Sequence, residues 1–143
     1  MRLSRKARST TSSVAGGPTV LVADDDPVVR EVLQRALTAR GYEVIAVENG
    51  TSAVAAAHEH SPELALLDWL MPGMYGPDVC AALRGQPETA RIPLVLLTTQ
   101  GEERDVAHGY RSGADEYLTK PFHPREVLAV VERLLAAREP DPG

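Results

Sequence analysis

One cysteine, Cys80, is all the thiol that this 143-residue chain carries. That excludes a disulfide framework and a thiolate zinc cluster, and a reducing cytoplasm fits. Long apolar runs are missing as well, and none approaches the ~20 residues that a membrane-spanning helix requires. The N-terminus lacks the apolar stretch of a secretory signal. Acids are absent from residues 1–17, where Arg2, Arg5, Lys6 and Arg8 give +4 within a chain of net charge −5. The remaining residues therefore sum to −9, an acidic body that argues against direct nucleic-acid contact. The Arg- and Ser-rich tail superficially suits a transit peptide. Ser9 to Ser13 and Gly16-Gly17-Pro18 read better as a disordered, low-complexity segment.

What is present is a soluble globular composition, 43% hydrophobic and 24% charged, in a length that suits one domain with a full core. From Thr19 the pattern alternates strand and helix five times. Strands are predicted at about Thr19–Ala23, Glu43–Val47, Glu63–Leu67, Ile92–Leu97 and Asp115–Leu118. The first helix runs from about Pro27 to Arg40, with Asp26 as N-cap, Pro27 at the first turn and Gly41 as the stop. Val28/Val29, Val32/Leu33 and Ala36/Leu37 recur every four residues and give it an apolar face. Asn49-Gly50 is a turn signal before an Ala-rich second helix, and Pro77 opens the third. The fourth helix, about Glu102–Ser112, has a weak apolar stripe that marks a loosely held element. Pro124 opens a fifth, which buries Val127, Val131 and Leu134 with Leu128 and Leu135 beside them. Continuous apolar strands between helices imply an α/β fold with a parallel sheet covered on both faces. Residues 18–138 form that domain, between the tail of residues 1–17 and an exposed end or linker start at 139–143.

The strand ends carry the chemistry. The first run ends in Asp24, Asp25 and Asp26, the third in Asp68, the fourth in Thr98 and Thr99, and the fifth in Lys120-Pro121. Ligands of open parallel sheets bind at these carboxyl ends. Asp24, Asp25 and Asp68 cannot all stay ionised side by side without a counter-charge. A divalent cation supplies it, and Mg²⁺ suits hard oxygen donors that leave room for water. Lys120 is a point charge suited to a phosphoryl oxygen, Thr98 a hydrogen-bond donor, and a carboxylate can be phosphorylated as a nucleophile.

The strings VLVADDDP, LLDWLMPGMYG, VLLTT and DEYLTKPF, in this order, resemble the receiver domain of bacterial response regulators, the chemotaxis-regulator type included. The likeness covers about Thr19 to Arg138, and Asp25, Asp68, Thr98 and Lys120 follow one another at 43, 30 and 22 residues. It implies a flavodoxin-like doubly wound (βα)5 fold with strand order 2-1-3-4-5. Asp68 would be the phosphoacceptor, and Asp25, Asp68 and the backbone carbonyl of Leu70 would be Mg²⁺ ligands, with Asp24 close by or bound through water. Thr98 would be the switch hydroxyl, Lys120 the phosphate-binding amine, Tyr117 the aromatic that changes rotamer, and Lys120-Pro121 a cis bond. The implied protein is a cytoplasmic signalling switch rather than an enzyme, assisting its own phosphorylation and dephosphorylation. Its partners would be a sensor histidine kinase or phosphotransfer protein and a downstream protein target, reached through the fourth helix, fifth strand and fifth helix. A phosphorylation-linked dimer is compatible with it. Tyr75 departs from the family's usual Asp, and Leu70 and Gln100, at positions that tune hydrolysis, offer no carboxylate to orient water. Slow loss of phosphate is the expectation.

Blander readings sit beside these. Asp26 is a helix cap rather than a ligand, His58 and His60 do not share a helix face, His123 is a helix-entry residue, and Cys80 is a small core residue. Trp69 is expected at the mouth of the site. An aspartyl phosphatase would need a second Asp where Leu70 stands, and a flavodoxin-like cofactor binder would not place three acids in its phosphate loop. A phosphorylation-independent scaffold, or the receiver part of a longer regulator with an effector domain, is the alternative function.

Overall fold

The computed structural model describes residues 17–99 and 112–138. Among them the chain runs β1 (Thr19–Ala23), α1 (Pro27–Ala39), β2 (Glu43–Val47), α2 (Gly50–His60), β3 (Leu64–Asp68), α3 (Gly76–Arg84), β4 (Leu94–Thr99), β5 (Glu116–Lys120) and α4 (Pro124–Ala137). The five strands pair in parallel in the order β2-β1-β3-β4-β5, the flavodoxin-like arrangement expected from the sequence. The predicted fourth helix falls almost wholly on residues outside those described, so α4 is the fifth of the sequence reading. Gln100 and residues 1–16 and 139–143 also lie outside them. No helix of the described residues is long and apolar enough to cross a membrane.

Side-chain alternation splits the core between the two faces of the sheet. Leu21, Ala23, Ala65, Leu67, Leu94 and Leu96 face α2 and α3, where they meet Ala53, Ala57, Val79, Cys80 and Leu83. Val20, Val22, Leu64, Leu66, Val95 and Leu97 face α1 and α4, against Leu33, Leu37, Val127 and Val131. Both faces being covered, the central strands have no solvent-facing position, which is why they read as uninterrupted apolar runs. Leu66 is wholly buried, and truncating it to Ala would cost about 2–5 kcal/mol.

The helix ends follow from local chemistry. Asp26 caps α1 by accepting the Val28 N–H at 2.9 Å, and Pro27 follows with the φ a first turn needs. Gly41, at φ +92°, makes the left-handed step out of α1 toward β2. Asn49 is more than a turn residue, since its side chain accepts the Ser52 N–H at 2.7 Å as the cap of α2. His123 enters α4 through a reciprocal capping box with Glu126. On α1 the inward face is narrower than its repeat suggests: Leu33 and Leu37 are buried, while Val28 and Val32 stay 67% and 40% exposed.

Candidate functional site

The site forms where β1, β3 and β5 end together. Continuing the alternation of β3, Asp68 follows Leu64 and Leu66 onto the α1 side of the sheet, and Trp69 turns to the other. Asp24 follows β1 directly and is wholly buried, Asp68 is 6% exposed, and Asp25 lies open to solvent. One carboxylate oxygen from each of Asp24, Asp25 and Asp68 lies within 4.8 Å of the others. Lys120, the last residue of β5, donates to Asp24 Oδ2 at 2.8 Å and to Asp68 Oδ1 at 3.1 Å. The remaining oxygen of Asp24, Oδ1, accepts the backbone N–H of Asp26 at 3.0 Å. Both Asp24 oxygens are thus engaged, whereas Asp25 presents its carboxylate outward.

Electrostatics follow from this crowding. Burial, then the charge of Asp24, pushes the Asp68 carboxyl up to about 7 from 3.8, with Lys120 pulling the other way and Asp25 adding a smaller push upward. Burial by itself would lower Lys120, but its bonds to Asp24 and Asp68 outweigh that and raise it, so the ammonium stays charged. Three carboxylates against one ammonium leave excess negative charge in a site of hard oxygen donors. The donor set therefore fits a small divalent cation. Among the described residues this is the one group of three or more His, Cys, Asp or Glu side chains arranged in this way.

The other sequence-predicted positions surround it. Thr98 is 1% exposed near the end of β4, in register with Thr119, and Thr99 pairs with Lys120. Tyr117 is half-buried on β5 and packs against the cluster on the α2–α3 side, not among the acids. Leu70 is 51% exposed on the loop after β3. The Lys120-Pro121 peptide is cis, as the family likeness implied. Trp69 corrects the expectation of a residue at the mouth of the site: it is 6% exposed and belongs to the core beneath it, and its backbone N–H donates to Leu97 O at 2.8 Å.

One supporting position escaped the sequence reading. Gly76 brings the chain back from the loop after β3 against the end of that strand, and its N–H donates to Trp69 O at 2.8 Å. A Cβ there would sit 2.5 Å from the backbone oxygen of Asp68 and 2.7 Å from Leu96 Cδ2. The approach needs a residue without a side chain. The Gly in the loop string was the available signal, but its neighbour across the turn was not legible.

Residues 20–132 match the response regulator receiver domain. The chain belongs to that family, the receiver domain of two-component signalling proteins. Such domains are signalling switches rather than enzymes of the ordinary kind. Among relatives, the DNA-binding response regulator MtrA of Mycolicibacterium smegmatis is 41% identical over 124 residues, covering 87% of this chain and 53% of that protein. A response regulator of Chloroflexus aurantiacus has a similar structure, with a TM-score of 0.80 and 36% identity over 84% of this chain and 98% of that one. The receiver domain of the Pseudomonas aeruginosa sensor histidine kinase PA1611 holds a magnesium ion in its active site cleft. It matches at a TM-score of 0.79 and 28% identity, over 85% of this chain and all of that one. The chain spans about half the length of the curated relatives it matches.

Proposed function

We propose that this receiver is a phosphorylation-dependent switch in which Asp68 accepts a phosphoryl group from a histidine kinase or phosphotransfer protein. The observation that carries this reading is the meeting of the Asp24, Asp25 and Asp68 carboxylates with the Lys120 ammonium at 2.8 and 3.1 Å. An Asp68 oxygen attacks phosphorus, the new O–P bond replaces the donor's N–P bond, and the leaving imidazole takes up a proton. Asp25, Asp68 and the Leu70 carbonyl would hold Mg²⁺, with Asp24 contributing through water, in keeping with its own oxygens being engaged already. The ion would offset repulsion between Asp68 and the incoming phosphoryl group. Lys120 then passes from Asp68 to a phosphoryl oxygen, and Thr98 donates to another.

Loss of the Lys120–Asp68 contact would be felt on β5, and through Thr98 and Tyr117 on the surface that a downstream protein reads. Reversal is hydrolysis of the acyl phosphate at the same site. An apolar rim suits a protein donor: Val28, Val29, Val32, Pro121 and Phe122 line a groove of about 420 Å³ beside Lys120. Direct nucleic-acid contact is not part of this reading. The DNA-binding named for the MtrA relative belongs to a longer protein, of which the matched region makes up 53%. That difference in length favours, as a second reading, service as the receiver part of a longer regulator.

The test is intact mass after incubation with acetyl phosphate and Mg²⁺, with Asp68→Asn and metal-free controls. One phosphoryl group on the wild type alone, dependent on metal, supports the switch. No adduct under any condition would make a phosphorylation-independent scaffold the better reading.

A further inference from the structure

We infer that Arg30 is a positioning residue for the metal-binding acids, acting through the backbone of Asp24. Arg30 closes the first turn of α1, and its side chain folds back toward the helix start, the usual direction for long helical side chains. There Nη1 donates to the backbone oxygen of Asp24 at 2.9 Å. The same nitrogen lies 3.9 Å from Glu48 Oε1, on the turn after β2. The Arg30 side chain is 22% exposed and that of Glu48 72%, so the inner contact is the sheltered one.

The Asp24 carbonyl begins the peptide that leads into Asp25. Asp24 is fixed at its N–H by Val47 O at 3.2 Å, and at its two carboxylate oxygens by Asp26 and Lys120. Arg30 supplies the remaining restraint, on the atom that sets the orientation of the Asp24–Asp25 peptide. Asp25 is exposed, and among the described residues no side-chain bond steadies its carboxylate, so its aim depends on that peptide. Partners that orient metal ligands typically change affinity about 10–100-fold when removed.

This inference rests on the Mg²⁺-binding reading, and it makes a prediction of unusual sign. A guanidinium near the acids repels a cation, so its removal by simple electrostatics would tighten Mg²⁺ binding. If Arg30 positions the acids, its removal weakens binding. Mg²⁺ titration by calorimetry on Arg30→Met, which keeps the aliphatic stem but loses the donor, is expected to give about tenfold weaker binding. Arg30→Lys, which restores a donor, should fall between, and Arg35→Ala, on the exposed side of the same helix, should stay within about twofold of wild type. Metal-free melting of each variant checks that the fold persists. Binding by Arg30→Met as tight as or tighter than wild type overturns the role of Arg30 alone, as does an equal loss in Arg35→Ala. A wild type that takes up no Mg²⁺ overturns the metal reading, and this inference with it.

Discussion

Lys120 and Asp24 stand 96 residues apart in sequence and 2.8 Å apart in space, joined across the carboxyl edge of the sheet. The same ammonium reaches Asp68 at 3.1 Å, passing over the end of β4. One cation therefore steadies two buried carboxylates delivered by two other strands.

Lys120→Met should have opposite effects on folding and on metal binding. Removing one member of a buried ion pair leaves uncompensated charge and costs about 3–5 kcal/mol. Urea unfolding without metal should show a loss of that order. Mg²⁺ should then bind the variant more tightly and restore part of the stability, because the cation replaces the missing counter-charge. Phosphorylation by acetyl phosphate should fall sharply even at saturating Mg²⁺. A variant that unfolds like wild type would show that the ion pair contributes nothing.

Asp68→Asn tests the strain held in the acid cluster. Because the folded protein raises the Asp68 carboxyl from 3.8 to about 7, the protonated form favours folding. That contribution is complete below about pH 4 and is lost as pH rises through 7. Without metal, Asp68→Asn should therefore melt higher than wild type at pH 8, on the order of a few °C for a domain of this size. The gap should narrow as the pH is lowered toward 4. Thermal melts at several pH values check it, and a variant less stable at pH 8 would reverse the sign.

Gly76→Ala places a Cβ 2.5 Å from the Asp68 backbone oxygen. That oxygen is a backbone atom and cannot retreat without shifting the end of β3. Overpacking of this kind costs about 1–3 kcal/mol. Both lower stability and weaker Mg²⁺ binding are expected, measured by denaturation and calorimetry. Gly85, whose Cβ would meet nothing closer than 3.5 Å, is the contrasting site, where Ala should be tolerated.

Leu70 stands two residues past Asp68, the proposed phosphoacceptor, 51% exposed and without a group that can orient water. The acyl phosphate should accordingly outlast the seconds typical of fast chemotaxis regulators. Leu70→Glu adds a water-orienting carboxylate at little cost to an exposed position and should shorten the lifetime about tenfold, less than the roughly 10²–10⁴-fold of a fully positioned general base. Decay of the phosphorylated mass with time measures both. An unchanged lifetime in Leu70→Glu would place control of hydrolysis elsewhere.

The sheet was legible because burial on both faces leaves an uninterrupted apolar run, and β1 and β2 fall on their predicted limits. Where limits moved, a neighbour decided. Ile92-Pro93 read as strand, yet β4 begins at Leu94, since Pro93 has no N–H for the ladder and serves by accepting from Ala65. β5 continues to Lys120 because Thr98 and Thr99 of β4 extend alongside it. Within the site, Asp24, Asp25, Asp68 and Lys120 were readable from strand-end position and the family's spacing. Trp69 was misplaced because its neighbour drew it to the site, although simple alternation past Asp68 turns it into the core. The Arg30 contact and the neighbour of the loop glycine Gly76 were not legible, as each involves a backbone oxygen brought near by the fold.

The two Lys120 contacts span 96 and 52 residues, so each closes a long loop at a cost in chain entropy. Until β5 docks, the acids of β1 and β3 meet with no lysine between them and repel one another. A sheet without β5 is thus penalised at the carboxyl edge where the acids meet. The edge strand that completes the sheet also completes the charge cluster, so a sheet without β5 would lack the lysine that the proposed phosphoryl transfer uses.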